Sequence, residues 1–149
     1  NDQLLVYGSS DLVCYFATHP ADLVKKHQQH WTPLVTWMKE KYGIVFETVS
    51  GIQYHHQPQE SLGKLQKLLE DLDAAQFTVV QAAAATTGSV VIALALLEKA
   101  ISEDEAYQAA CVDEIYQLKT WGEDAEARKR LDIIQGELKV IAHFRDFVL

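Results

Sequence analysis

Apolar residues recur every three or four positions along most of the chain, which is the spacing of one side of an α-helix. From Ser61 onwards, lysines and acids occupy the opposite side of such a stripe, whose apolar members are Leu62, Leu65, Leu68, Leu69 and Leu72. The segment from Glu123 to about Phe147 begins with acids and carries a second stripe, made of Leu131, Ile134, Leu138, Ile141, Phe144 and Val148. Both segments are predicted to be amphipathic helices that pack on a shared core.

Proline, glycine and hydroxyl residues mark the boundaries of two helices nearer the start of the chain. One helix is predicted from about Ala21 to Gln29. A second is predicted to begin at Thr32-Pro33, because threonine caps helices and proline suits the first helical turn. Gly43 is expected to end this second helix.

The stretch from Ala74 to Leu97 contains no charged residue, and its length invites a membrane-spanning interpretation. Several polar residues interrupt it, and the sequence Thr-Thr-Gly-Ser at residues 86–89 predicts a helix break. Two short buried helices are therefore expected instead. Asp73 with Gln76 has the spacing of a capping box and predicts the first helix start; Ser102 with Glu105 predicts another further along.

Branched and aromatic residues dominate the segment from Ile44 to Ile52, which is predicted to be extended or β. The whole pattern then predicts a mainly α fold, a helical bundle of about six helices with one short extended or β segment near residues 44–52. A chain of 149 residues without a repeat or a proline-rich linker is expected to form one domain.

The net charge of the chain argues against some classes of binding partner. With 21 acids and 13 bases the formal net charge is -8, so phosphate backbones and anionic lipid surfaces are expected to be repelled. Cys14 and Cys111 each lie in an apolar run, which is typical of buried free thiols in a reducing compartment. The first residues do not resemble a signal peptide, and the chain begins with Asn, so the natural start is expected to be missing.

One carboxylate lies among residues predicted to be buried. On a helix continuous from Tyr107 to Leu118, Glu114 falls at about 340° when Tyr107 is set to zero, inside the apolar arc. Gln117, three residues later, lies beside it. Burial of an unpaired carboxylate costs several kcal/mol, so a basic group or a protein partner should meet it. Spacing alone leaves two alternatives open: an internal ion pair, with Lys139 or an arginine of the last helix, and a functional contact.

The sequence gives little support for a metal site or a catalytic motif. His27 and His30 lie one turn apart, and His55-His56 could add nitrogens, but no zinc-binding motif accompanies them. Surface histidines are the simpler interpretation. The chain has no glycine-rich phosphate loop and no Gly-x-Ser-x-Gly elbow. No cofactor and no metal are therefore predicted.

Four stretches carry a resemblance to a known family: DLVCYFATHPADLV, WTPLVTWMKEKYG, GSVVIALAL and above all DEIYQLKTWGEDAEA. Together they resemble the C-terminal part of the ATP synthase assembly chaperone that acts on the alpha subunit of the F1 sector, as found in mitochondria and alphaproteobacteria. The most specific stretch of that family is an acid, then Tyr-Gln, then Trp-Gly. The resemblance implies partner-binding residues in this region, namely Asp113, Glu114, Tyr116, Gln117, Trp121 and Gly122.

The resemblance also implies a function and a domain organisation. Members of the family bind free alpha subunit and cover an aggregation-prone surface until the beta subunit displaces them; they are not enzymes. Residues 1–149 would then be a single helical domain, and the smaller β-rich domain that precedes it in the family would be absent. We expect a monomer with no nucleic-acid partner and no membrane insertion, in the cytoplasm if the source is bacterial, which is favoured, or in the mitochondrial matrix if it is eukaryotic.

Two other functions stay open from the sequence. One is a small helical hydrolase that uses Glu114 with a histidine from the His55-His56 loop. The other is a structural domain whose missing companion does the binding. An enclosed pocket that holds Glu114 beside a second titrating group would favour the enzyme, and an open surface would favour a binding protein.

Overall fold

The computed structural model describes residues 2–51 and 54–149. Their fold is mainly α with a very small sheet, as predicted. Eight α-helices and two strands lie in the described residues, in the order α1 (Asp2–Ser9), β1 (Tyr15–Phe16), α2 (Ala21–Tyr42), β2 (Val49–Ser50), α3 (Gln59–Glu70), α4 (Ala74–Thr87), α5 (Val90–Leu97), α6 (Glu103–Ala110), α7 (Val112–Trp121) and α8 (Ala125–Val148). The sequence pattern predicted about six helices and missed α1.

Helix α5 is the centre of the core, because every residue from Val90 to Leu97 is buried. It packs most extensively against α4, and the two are separated by Gly88, whose φ of 77° suits glycine, and Ser89. Both capping boxes form as predicted, at Asp73 with Gln76 and at Ser102 with Glu105. Among the described residues, no helix combines the length and the apolar character needed to cross a bilayer.

A buried carboxylate fixes the start of α5. Asp11 accepts hydrogen bonds from the Ser89 hydroxyl at 2.5 Å and from the backbone amides of Val90 at 2.9 Å and Val91 at 3.2 Å. The Val13 amide adds a fourth donor at 3.2 Å. These donors include free amides at a helix N-terminus, where negative charge is favoured. Even so, burial raises the pKa of Asp11 to about 6.

The prediction of two helices between Ala21 and Gly43 is wrong, because α2 continues through Pro33. Its buried side chains, His27, Trp31, Leu34 and Met38, form one uninterrupted stripe on both sides of the proline. The Trp31 indole also donates to the Ala109 carbonyl at 2.8 Å. Packing along this stripe outweighs the hydrogen bond that a proline removes from a helix. Gly43 ends the helix in the left-handed conformation, as predicted.

The prediction of an extended or β segment from Ile44 to Ile52 is confirmed only in part. Val49 and Ser50 form β2, which pairs in parallel with β1, a strand the sequence did not indicate. Residues 44–48 are irregular, although Ile44 and Phe46 are buried. Ile52 lies outside the described residues.

Helices α6 and α7 correct the assumption of one continuous helix from Tyr107 to Leu118. Cys111 lies between them with a φ of -118° and a ψ of 27°. The Ala109 carbonyl, which a continuous helix would pair with the amide four residues later, instead accepts the Trp31 indole.

Both cysteines are buried free thiols, as predicted. The last helix runs two residues shorter at its start than predicted, from Ala125.

Candidate functional site

The most specific stretch of the sequence forms α7, and one side of this helix is held against α2 by side-chain hydrogen bonds. His27 Nε2 lies 2.6 Å from Asp113 Oδ1, and the Ala17 amide donates to His27 Nδ1 at 2.9 Å. Because Nδ1 accepts, the ring proton lies on Nε2 and is donated to Asp113. The Tyr116 hydroxyl donates to Asp22 Oδ1 at 2.8 Å.

These contacts give two of the six candidate residues an internal partner. Asp113 and Tyr116 connect α7 to α2, and both lie in exposed or half-buried positions at that junction. His27, interpreted from the sequence as a surface residue or a weak zinc ligand, is buried because its ring stacks on Trp31 at a centroid distance of 3.9 Å. This junction has no local signal in the sequence, since 86 residues separate His27 from Asp113.

The other four candidates lie on the opposite side of α7, where it meets α8. They line a cleft of about 170 Å³, which we call the α7–α8 cleft. Its lining residues are Glu114, Gln117, Leu118, Trp121, Gly122, Asp124, Ala127 and Arg130. The fold therefore divides the candidate stretch between a junction with α2 and an open surface beside α8.

Local structure explains why this cleft forms at the end of α7. The Gly122 amide donates to the Leu118 carbonyl at 3.0 Å, and the φ of 98° at Gly122 suits glycine. Two residues later, Asp124 caps α8 by accepting from the Glu126 amide at 3.0 Å. The chain thus changes direction directly after Trp121, whose side chain remains 83% exposed. A large exposed aromatic residue at a helix end is a surface suited to contact with another molecule.

Glu114 is half-buried and makes no salt bridge or side-chain hydrogen bond with another residue in the described part of the chain. The predicted alternative of an internal pair with Lys139 or an arginine is therefore not observed in residues 2–51 and 54–149. Arg130 lines the same cleft without reaching ion-pair distance. Leu118 and Cys111, one turn away on either side, are buried, so Glu114 still borders the apolar side of α7.

The charges of Glu114 and Arg130 both affect the pKa of the nearby Cys111 thiol. Burial raises the pKa of Cys111 to about 12; Glu114 adds to the rise and Arg130 opposes it. The thiol therefore stays protonated at neutral pH and is a poor nucleophile. Glu114 can accept a hydrogen bond from outside the chain, because no side chain in the described residues donates to its carboxylate.

No histidine lines the α7–α8 cleft within the described residues. His55 pairs with Glu47 at 2.6 Å, in the loop before α3. The arrangement required by the hydrolase alternative, Glu114 beside a loop histidine, is therefore not present there. Residues 2–51 and 54–149 also contain no group of three side chains suited to hold a metal ion.

Comparisons with known proteins agree with the resemblance drawn from the sequence. A family model described as ATP12 chaperone protein matches residues 1–39, a region that ends within α2. Atp12 from Paracoccus denitrificans superposes with a TM-score of 0.92 and is 26% identical over 97% of this chain. The Atu1473 protein of Agrobacterium tumefaciens, described as a candidate chaperone, gives a TM-score of 0.91 and 29% identity over 99% of this chain.

The matched structures are longer than this chain. It covers 62% of the Paracoccus chain and 56% of the Agrobacterium chain. The chain is thus similar to ATP12-type proteins at residues 1–39 and in its fold over nearly all of its length.

Proposed function

We propose that the chain is a chaperone for assembly of the ATP synthase catalytic sector and that it binds the free alpha subunit of the F1 ATPase through the α7–α8 cleft. The ATP12-type match and the shared fold support the chaperone class. The resemblance of the α7 stretch to the alpha-binding family supports the partner. The observation that carries the site is Glu114, a half-buried carboxylate that borders an apolar surface and has no ion-pair partner in the described residues.

Glu114 and its neighbours can recognise a partner in two ways. The carboxylate can accept a charge-assisted hydrogen bond from a lysine or arginine, which is stronger than a bond between neutral groups. Trp121 offers an exposed ring that can cover an apolar side chain or a cation. Gln117, exposed and one turn from Glu114, adds an amide at the rim. A modest, partly polar interface of this kind can be released when the beta subunit competes for the alpha subunit.

The proposal is tested by co-purification with the alpha subunit, and with the beta subunit in parallel. Glu114→Lys is expected to reduce capture of alpha by about tenfold or more, because it places a cation against the partner's cation. Glu114→Gln is expected to reduce it less. Neither substitution removes an internal ion pair, so the free energy of unfolding of Glu114→Gln should stay within about 0.5 kcal/mol of that of the parent chain.

Glu40→Lys is the matched control, since Glu40 is exposed on α2 and lies outside the cleft. It should leave capture unchanged. If the parent chain fails to retain alpha subunit, the proposed partner is wrong. If alpha is retained equally by the parent and by both Glu114 variants, the partner stands and the proposed cleft is wrong.

A further inference from the structure

A second, smaller cleft lies on the other side of α7, where it meets α2 and α6. We call it the α2–α7 cleft. Its polar lining consists of Lys26 and His30 from α2, Gln108 from α6, and Lys119 with Tyr116 from α7. Val112 and Ile115 supply the apolar wall. Four of these side chains carry N–H donors on three different helices, so donors converge on one space.

The charge of this cleft is opposite to that of the chain as a whole. The chain has a net charge of -8, yet the described residues that line the α2–α7 cleft include two lysines, a histidine and no carboxylate. Neither Lys26 nor Lys119 makes a salt bridge with another described residue. Lys41, Lys64 and Lys99, by contrast, each have an acidic partner.

Three acids lie close to these residues in the sequence, but none of them lines the cleft. Glu114 lines the α7–α8 cleft instead, and the other two are directed at other groups. Asp22 lies one turn before Lys26, but its Oδ1 accepts the Tyr116 hydroxyl at 2.8 Å. Asp113, one residue after Val112, accepts from buried His27 at 2.6 Å. Both carboxylates are thus held at the junction of α7 with α2, and neither lines the cleft. The pKa of His30 is lowered, first by burial and then by the charge of Lys26.

The size of the cleft limits what it can hold. Its volume is about 50 Å³. By the same measure a site for one water molecule needs about 10–15 Å³, so the space suits a group of a few atoms, such as one oxyanion, and is small for a nucleotide base and sugar.

We propose that the α2–α7 cleft is a binding site for a single oxyanion group, a carboxylate or a phosphate, held between Lys26 and Lys119 with Gln108 as an additional donor. The oxyanion belongs to a free phosphate ion or to an acidic side chain of a polypeptide. This site is separate from the α7–α8 cleft, because the two clefts share no lining residue.

The experiment is an NMR titration of the chain at constant ionic strength maintained with chloride. One arm adds inorganic phosphate. The second adds a short blocked peptide, acetyl-Ala-Glu-Ala-amide, with its glutamine twin as the uncharged reference. Saturable shifts are expected in amides of α2, α6 and α7 around the cleft. Saturation by phosphate alone identifies a site for the free ion, and saturation by the glutamate peptide identifies a site for an acidic side chain.

Lys26→Gln combined with Lys119→Gln should weaken binding by about tenfold or more, because two charge-assisted contacts are lost. Lys25→Gln combined with Lys129→Gln is the matched control: it removes the same charge from exposed positions outside the cleft and should leave the dissociation constant unchanged. Thermal unfolding checks that both variants are folded. Absence of saturable shifts in both arms overturns the proposal, and so does equal binding by the cleft variant and its control.

Discussion

Helices α5 and α7 both pack against α2, α6 and α8, but different forces hold them in place. Every residue of α5 is buried, and its first turn is fixed by a buried carboxylate. In α7 only Val112 and Leu118 are buried. The Asp113 and Tyr116 side chains hold α7 to α2 by hydrogen bonds near the surface. The core helix is stabilised by burial, whereas α7 is positioned by a few polar contacts.

This difference matters for function. A helix that buries all its side chains has none left to offer a partner. Helix α7 leaves Glu114 half-buried and Trp121 exposed, and clefts lie on two of its sides. Interaction surfaces commonly combine an exposed aromatic residue with charges that lack internal partners. The comparison therefore assigns stability to α5 and, under the proposed function, recognition to α7.

The largest effect is expected from truncation in α5. Leu94 is 1% exposed, so Leu94→Ala should lower the free energy of unfolding by about 3 kcal/mol through lost burial and the cavity left behind. Urea denaturation measures the change. Val140→Ala, at a position 69% exposed on α8, is the control and should change the same quantity by less than about 0.5 kcal/mol. Similar losses in both variants would contradict the assignment of α5 as the core.

An intermediate effect is expected from the carboxylate that fixes α5, and it depends on pH. The pKa of Asp11 is raised from 3.8 to about 6, so the folded state binds a proton more tightly than the unfolded state. Its contribution to stability is therefore full at pH values below 3.8 and is lost as the pH rises through 6. We therefore compare the free energy of unfolding of the parent chain with that of Asp11→Asn. The difference, parent minus variant, should fall by about 2 kcal/mol between about pH 4.5 and 7.

Urea denaturation of both chains at the two pH values tests this expectation. The subtraction removes the titration of the other groups that the two chains share. A difference that stays constant, or that rises with pH, would show that the hydrogen bonds to Asp11 outweigh the effect of its burial.

The smallest and most local effect is expected at the junction of α7 with α2. Asp113→Ala removes the acceptor of His27, whose side chain is only 3% exposed. The free energy of unfolding should fall by about 1 kcal/mol, and amide hydrogen exchange should become faster in residues 112–121 while α4 and α5 keep their protection. Asp132→Ala on the exposed side of α8 should change neither quantity. Uniformly faster exchange through the chain would argue against a locally held α7.

Features that depend on neighbours in the sequence could be predicted. Both capping boxes, the break between α4 and α5 at Gly88, and the buried cysteines followed from local pattern. Long-range effects could not. Pro33 lies inside α2 because buried residues on both sides of it pack in one stripe, and the pairing of β1 with β2 depends on a contact between distant segments.

The candidate site shows the same limit. The residue pattern predicted a helix through Glu114 and placed this residue inside the apolar arc, because helical phase is a local property. The structure breaks that helix at Cys111 and leaves Glu114 half-buried at the border of the apolar side. Only the tertiary structure separated Asp113 and Tyr116, which hold α7 to α2, from Glu114 and Trp121, which line the cleft beside α8. Helical phase gives the direction of a side chain around its own axis, but the partner that it meets depends on helices packed from remote parts of the chain.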